Sequence, residues 1–186
     1  MERNDSLLDR AYGSLIATAI GDAMGMPASF MPPSQIKRIY GRITDFVSPD
    51  AEQTAHSSVE AGGITDDTQE SLIVSSVLIE EGRFDTESFV EKMREWARRH
   101  KMLESTVIGP STRKFLETIL SGGDYIEAGK NGDTNGAAMR VGPIGIFTTA
   151  TCRRRSRKRQ RPRFRPMEAG PALPPLAPLP RRFPQR

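Results

Sequence analysis

The stretch TDDTQESLIVSSVLIEEG, residues 65–82, decides the fold. Thr65 or Asp66 opens it as a helix, because a Thr or Asp side chain can accept from the amides that a first helical turn leaves without partners. Leu72, Ile73, Val77, Leu78 and Ile79 follow at helical spacing. Gly82 ends the run, since glycine adopts the left-handed C-cap conformation at little cost. Before this helix, residues 48–63 are polar and turn-like and read as a loop. Ser34 caps a short helix, QIKRIY, that stops at Gly41. Earlier still, Leu7, Leu8, Ala11, Tyr12, Leu15, Ile16, Ala19 and Ile20 make so broad an apolar stripe that the first helix is expected to be largely buried, with Gly21, Gly25 and Pro27 loosening and ending it. After Gly82, Asp85 caps a helix with Phe89, Val90, Met93, Trp96 and Ala97 on one face and charged residues opposite. A further helix over residues 111–120 turns Phe115, Leu116, Ile119 and Leu120 inward before Gly122 and Gly123. No period-2 run and no internal repeat interrupts this order, so the expected class is all-α, an orthogonal multi-helix bundle.

The 186 residues fall into two parts of opposite charge. Residues 151–186 hold eleven Arg and one Lys against the single acid Glu168, and eight of the fourteen prolines, whereas residues 1–150 carry a net charge of −7. The overall +4 therefore belongs to the tail. A body of this length is one domain's worth of chain and can bury a real core. The tail, in which the apolar pattern stops after Phe147, cannot bury enough to offset its ordering entropy and is expected to be disordered over 148–186. Its Arg, Pro, Ala and Gly are residues of codons rich in G and C, which is also what a shifted reading frame from about residue 148 would give. Its basic cluster would hold polyanions in a salt-dependent way, but no aromatic interleaving marks a base-stacking platform, so no specific nucleic-acid partner is expected. The one cysteine, Cys152, excludes a disulfide scaffold and a thiolate metal cluster. No apolar run approaches the roughly 20 residues of a membrane span, and MERNDSLLDR is not a signal peptide. A soluble, cytoplasmic body with no membrane partner is the expectation.

Three segments carry chemistry. In GGITDDTQ, residues 62–69, two adjacent carboxylates and two hydroxyls stand where a glycine loop becomes a helix. They offer only oxygen ligands, which suit Mg²⁺, Mn²⁺ or Ca²⁺, although on spacing alone capping and the helix dipole are the better account of acids at that place. In GDAMGMP, residues 21–27, Asp22 follows an apolar helix and needs either a partner or the amides of its own turn. The glycines permit close approach of something to the backbone. In NGDTNGAAMR, residues 131–140, small residues before a helix leave amides free for an anion, or simply make a turn; neither a Walker nor a Rossmann pattern is present. His56, in the polar loop, and His100, at a helix end, read as surface residues or helix C-terminal dipole partners and not as ligands, and Trp96 reads as packing.

Taken in order, GSLIATAIGDAMGMP, GGITDDTQ and NGAAMRVGPIG resemble the ADP-ribosylglycohydrolase family over residues 7–147. The resemblance implies an all-α fold and hydrolysis of the N- or O-glycosidic bond joining ADP-ribose to a protein side chain or a small acceptor, with two Mg²⁺ or Mn²⁺ ions. An ADP-ribosylated protein or a small ADP-ribosyl or nucleoside-like compound would be the substrate. It implies further that Thr65, Asp66 and Asp67 bind metal, the two aspartates acting in catalysis through it. Asp22, Gly25, Ser29, Asn135, Gly136, Ala137 and Met139 would line the substrate site. Two departures matter. Many members carry a Glu where this chain has Ser29, which leaves the general acid and base unassigned. A second acidic motif, Asp-x-Asp-Ser/Thr, that completes the metal pair in relatives has no counterpart after Phe147. The expectation is therefore the N-terminal part of such a domain over 1–147, its C-terminal part missing. It should bind metal weakly and have no hydrolase activity of its own, with uncovered apolar faces on the first and third helices that favour association. The alternative is a noncatalytic ADP-ribose- or nucleotide-binding remnant whose basic tail contacts polyanions.

Overall fold

The computed structural model of the chain describes residues 2–130 and 134–159. Among them are eight α-helices and no strand: α1 (Glu2–Gly25), α2 (Pro33–Ile39), α3 (Asp66–Glu81), α4 (Thr86–His100), α5 (Pro110–Leu120), α6 (Tyr125–Lys130), α7 (Gly136–Met139) and α8 (Gly142–Arg159). α3 is the hub, packed by α1, α4, α7 and α8. Its start and stop are those its sequence dictates. Thr65 caps it, accepting from the Asp67 amide, and Gly82 closes it in the left-handed conformation at φ 66. Asp85 caps α4 by accepting from the Ser88 amide, and the five apolar residues of that helix are all buried. They meet Val74, Val77 and Leu78 of α3 and Leu116 and Ile119 of α5 in one core. Each such side chain, fully buried, contributes about 1.5–3 kcal/mol of hydrophobic stabilisation.

α1 departs from its expected burial. α3 and α8 cover one side of it, while Leu8 and Tyr12 stay 70% and 68% exposed and Ile16 and Ile20 continue the same row at intervals of four residues. Leu72 and Ile79 of α3 are exposed as well. An apolar stripe wide enough for two neighbouring layers meets only one among the described residues. α1 also runs on through Gly21 to Gly25, so Asp22 lies inside its last turns, held there by bonds to α3. At α2 the cap position belongs to Pro32, extended at ψ 150, with Pro33 at the first helical position. Proline's fixed φ suits that position, so Ser34 is helical and does not cap. α8 begins before Phe147 and carries on past it to Arg159: Thr148, Thr149 and Thr151 turn their hydroxyls onto carbonyls three or four residues back, and arginine is a good helix former. Residues 160–186, and with them most of the Arg/Pro-rich tail, lie outside the described residues. No described helix is long and apolar enough to cross a membrane.

Candidate functional site

The site is assembled on Asp22. From the end of α1 its carboxylate reaches the start of α3, where Oδ1 accepts from the Thr65 hydroxyl at 2.7 Å and Oδ2 from the Thr65 amide at 2.8 Å. Oδ2 also takes the Thr68 amide at 3.2 Å and the Thr68 hydroxyl at 2.6 Å. A helix leaves its first amides unpaired and carries partial positive charge there; Asp22 satisfies two of those amides from a different helix. Of the two readings open for it in the sequence, the partner is found, but the amides belong to α3 and not to its own turn. The Thr65 hydroxyl gives its proton to Asp22 and accepts the Asp67 amide, so one lone pair is left over.

Asp66 is buried and accepts the Gly109 amide on Oδ2 at 3.1 Å. Asp67 is half-buried, and burial, followed by the charges of Asp22 and Asp66, pushes its carboxyl up to about 6 against the opposing pull of His56 and a hydrogen bond from Asn135. All of these line one cavity of about 320 Å³, together with Gly25, Ser29, Phe30, Gly136 and Met139. A Cβ at Gly21 or Gly25 would meet nothing within 4 Å, so these glycines keep the wall of the cavity open. Ala137 lines a neighbouring cleft of about 140 Å³ with Phe115 and Arg140, and the two spaces share Ser111, Thr112, Thr134 and Gly136. Asn131, Gly132 and Asp133, of the glycine segment, lie outside the described residues.

Several residues of the site were not singled out in the sequence. His56, expected at the surface, is 4% exposed; its Nδ1 lies 2.7 Å from the Thr106 carbonyl oxygen, and it lines the cavity. The loop that carries it is clamped by Gln53, whose amide donates to the Ser29 carbonyl at 2.8 Å and also faces those of Met26 and Pro27. Phe30 stands at the cavity edge against the His56 ring, with φ 62, a left-handed conformation that costs a bulky residue roughly 1–2 kcal/mol. Glu70 is fully buried, accepting from Thr112 at 3.1 Å and paired with Arg140. Burial pushes it up to about 7 in spite of Arg140. Arg140 also lies over the Phe89 ring, 5.2 Å from its centroid, and Ser71 donates to the Met139 carbonyl at 3.1 Å. These contacts fasten residues 135–140 to α3. Glu70 did have a signal: it falls on the face of Val74, Val77 and Leu78, where an acid must find a partner. For His56 there was none, because its burial depends on a residue fifty positions later.

The donors suit a hard divalent cation in kind. Asp66, Asp67 and the remaining lone pair of Thr65 are oxygen donors at the cavity. In number they serve one ion incompletely: among the described residues no group of three or more His, Cys, Asp or Glu is gathered as a metal site.

Two aspartates at a capped helix start thus border one cavity that Asn135, Gly136 and Met139 also line. The model of the ADP-ribosylglycohydrolase family matches residues 3–161, and the chain belongs to that family. It is 36% identical over 143 residues to the uncharacterized protein YegU of Escherichia coli (strain K12), covering 76% of this chain and 43% of that protein. It is 31% identical over 151 residues to ADP-ribosylarginine hydrolase Tri1 of Pseudomonas putida (strain GB-1), covering 77% and 37%. To ADP-ribosyl-[dinitrogen reductase] glycohydrolase of Rhodospirillum rubrum it is 28% identical over 144 residues, covering 77% and 46%. The chain thus spans less than half the length of each of these relatives.

Proposed function

We propose that the cavity takes an ADP-ribosyl group and that the fold serves metal-assisted hydrolysis of its N- or O-glycosidic bond. The substrate class is an ADP-ribosylated protein or a small ADP-ribosyl or nucleoside-like compound, in keeping with two relatives named for ADP-ribosylarginine and for ADP-ribosylated dinitrogen reductase. The observation that carries this reading is the meeting of Asp66 and Asp67 with Asn135, Gly136 and Met139 around one cavity, large enough for a ribose and a phosphate. Thr65, Asp66 and Asp67 would hold Mg²⁺ or Mn²⁺, and such an ion supplies charge to polarise a ribose hydroxyl or a bound water. The chain's own residues hold the geometry. Asp22 fixes the start of α3, the Glu70–Arg140 pair fixes the 135–140 segment, and Asn135 steadies the Asp67 carboxylate.

Turnover by this chain alone is not expected. Asp66 already spends one oxygen on Gly109, and Ser29, the position of a carboxylate in many relatives, is a neutral hydroxyl lying 3.5 Å from the Gly25 carbonyl. Neither arrangement supplies the base that water attack needs. These observations favour, as the second reading, binding of ADP-ribose without hydrolysis. Thermal unfolding with ADP-ribose, with and without Mg²⁺, tests the first part: a rise in Tm is expected, larger with the ion. Release of ADP-ribose from ADP-ribosylarginine tests the second, and none is expected. An unchanged Tm under both conditions contradicts the binding site, and measurable release contradicts the binding-only reading.

A further inference from the structure

We propose that His56 is a ligand-contacting residue of the cavity, its Nε2 accepting a hydrogen bond from a hydroxyl of the terminal ribose of the bound ADP-ribosyl group; this rests on the function proposed above. The Thr106 carbonyl oxygen 2.7 Å from Nδ1 can only accept, so Nδ1 carries the proton, and Nε2 is the acceptor of that tautomer. Among the described residues no buried side-chain nitrogen or oxygen lacks a partner, and His56 makes no hydrogen bond through Nε2. That atom is therefore accessible although the residue is 4% exposed, and His56 is among the residues that line the cavity.

The ring is held for this. Gln53 bonds the loop to the carbonyls of Met26, Pro27 and Ser29, Thr106 holds Nδ1, and Phe30 packs against the ring with centroids 6.1 Å apart. A side chain with one rotameric position and one free acceptor contacts a hydroxyl without losing further freedom. Its placement is specific as well: His56 and Asp67 line the same cavity, so a hydroxyl between them would be bound from two sides. Because a site built to bond a hydroxyl leaves a buried group unpaired when that hydroxyl is absent, His56 should discriminate ADP-ribose from ADP.

The test is titration calorimetry of the full chain and of His56→Asn with ADP-ribose and with ADP. Asparagine keeps an amide donor for Thr106 and lacks the acceptor at Nε2. The expected result is an affinity for ADP-ribose lowered about tenfold or more, of the size a lost hydrogen bond gives, with ADP affinity and Tm unchanged. In parallel, the Nε2 nitrogen resonance of His56 in the unaltered chain should move on adding ADP-ribose and stay still on adding ADP. His100, exposed at the end of α4, serves as the internal control. Equal affinities and a stationary resonance overturn the role of His56 and leave the proposed function standing. Equal losses for ADP and ADP-ribose overturn it in favour of a structural role. If the unaltered chain binds no ADP-ribose, the proposed function falls and the role of His56 with it.

Discussion

α1 and α4 are both apolar helices, and they end in opposite circumstances. α4 keeps its apolar residues to one face and buries all five; α1 carries them over a wider arc and leaves Leu8, Tyr12, Ile16 and Ile20 to solvent. One-sided patterning names the buried face because only one face can be buried. Apolar breadth says only that a second surface is called for, and it does not say where that surface is. α1 is held at its far end by a polar contact instead, through Asp22. The energy of this molecule is thus divided between a dry core on α3, α4 and α5 and a hydrogen-bonded joint between α1 and α3.

The joint is the first place to break that contrast. Asp22→Ala removes an acceptor from two amides and two hydroxyls, and charge-assisted bonds are worth about 1.5–3 kcal/mol each before the freed groups find water. A net loss of about 3–4 kcal/mol in urea unfolding is expected, with Asp22→Asn in between. A loss below 1 kcal/mol would mean that packing against α3 and α8, and not the joint, holds α1.

Arg140→Met comes next. It leaves the Glu70 carboxyl buried without its ion, which costs about 2–3 kcal/mol for a partner that is itself partly exposed. The cost should shrink as pH falls and Glu70 takes up a proton. In the core, Leu116→Ala should cost about 3 kcal/mol, whereas Leu8→Ala should stay within about 0.5 kcal/mol. The exposed row should show itself in association: Leu8→Ser with Tyr12→Ser should lower the sedimentation-average mass without lowering Tm. An unaltered chain that sediments as a sharp monomer would contradict this.

A pH dependence is expected as well. Asp67 is raised to about 6, by burial before the neighbouring acids, and Glu70 to about 7. Both lie above the ordinary carboxylate range, so the folded state binds more protons than the unfolded one. Stability without metal should therefore fall as pH rises from about 4 to 7 and level off above that. Mn²⁺ should offset the Asp67 part, binding more tightly as pH rises through 6, and Asp67→Asn should remove that offset. Melting curves from pH 4.5 to 7.5, with and without the ion, read both.

Much of this was legible beforehand, for local reasons. Thr65, Gly82 and Asp85 act within a turn of their own positions, so the bounds of α3 and the start of α4 follow from the sequence. The all-α class follows from the spacing of Val77, Phe89, Met93 and Leu116. The gathering of Asp22 with Thr65, and of Asp67 with Asn135, needed the family resemblance, since residues 43 or more positions apart carry no spacing signal. His56 and Arg140 were missed because their roles are set by Thr106 and Glu70 across the fold, and the burial of α1 was overestimated because apolar breadth was taken for cover.

The central claim is that the start of α3 faces a sugar-binding cavity, and crystals of the chain grown with ADP-ribose test it most directly. The account predicts electron density for the terminal ribose against Asp67 and His56, with Asn135 and Gly136 beside the diphosphate. Density elsewhere, or a cavity holding only solvent at saturating ADP-ribose while Asp22 still bonds Thr65 and Thr68, would contradict it.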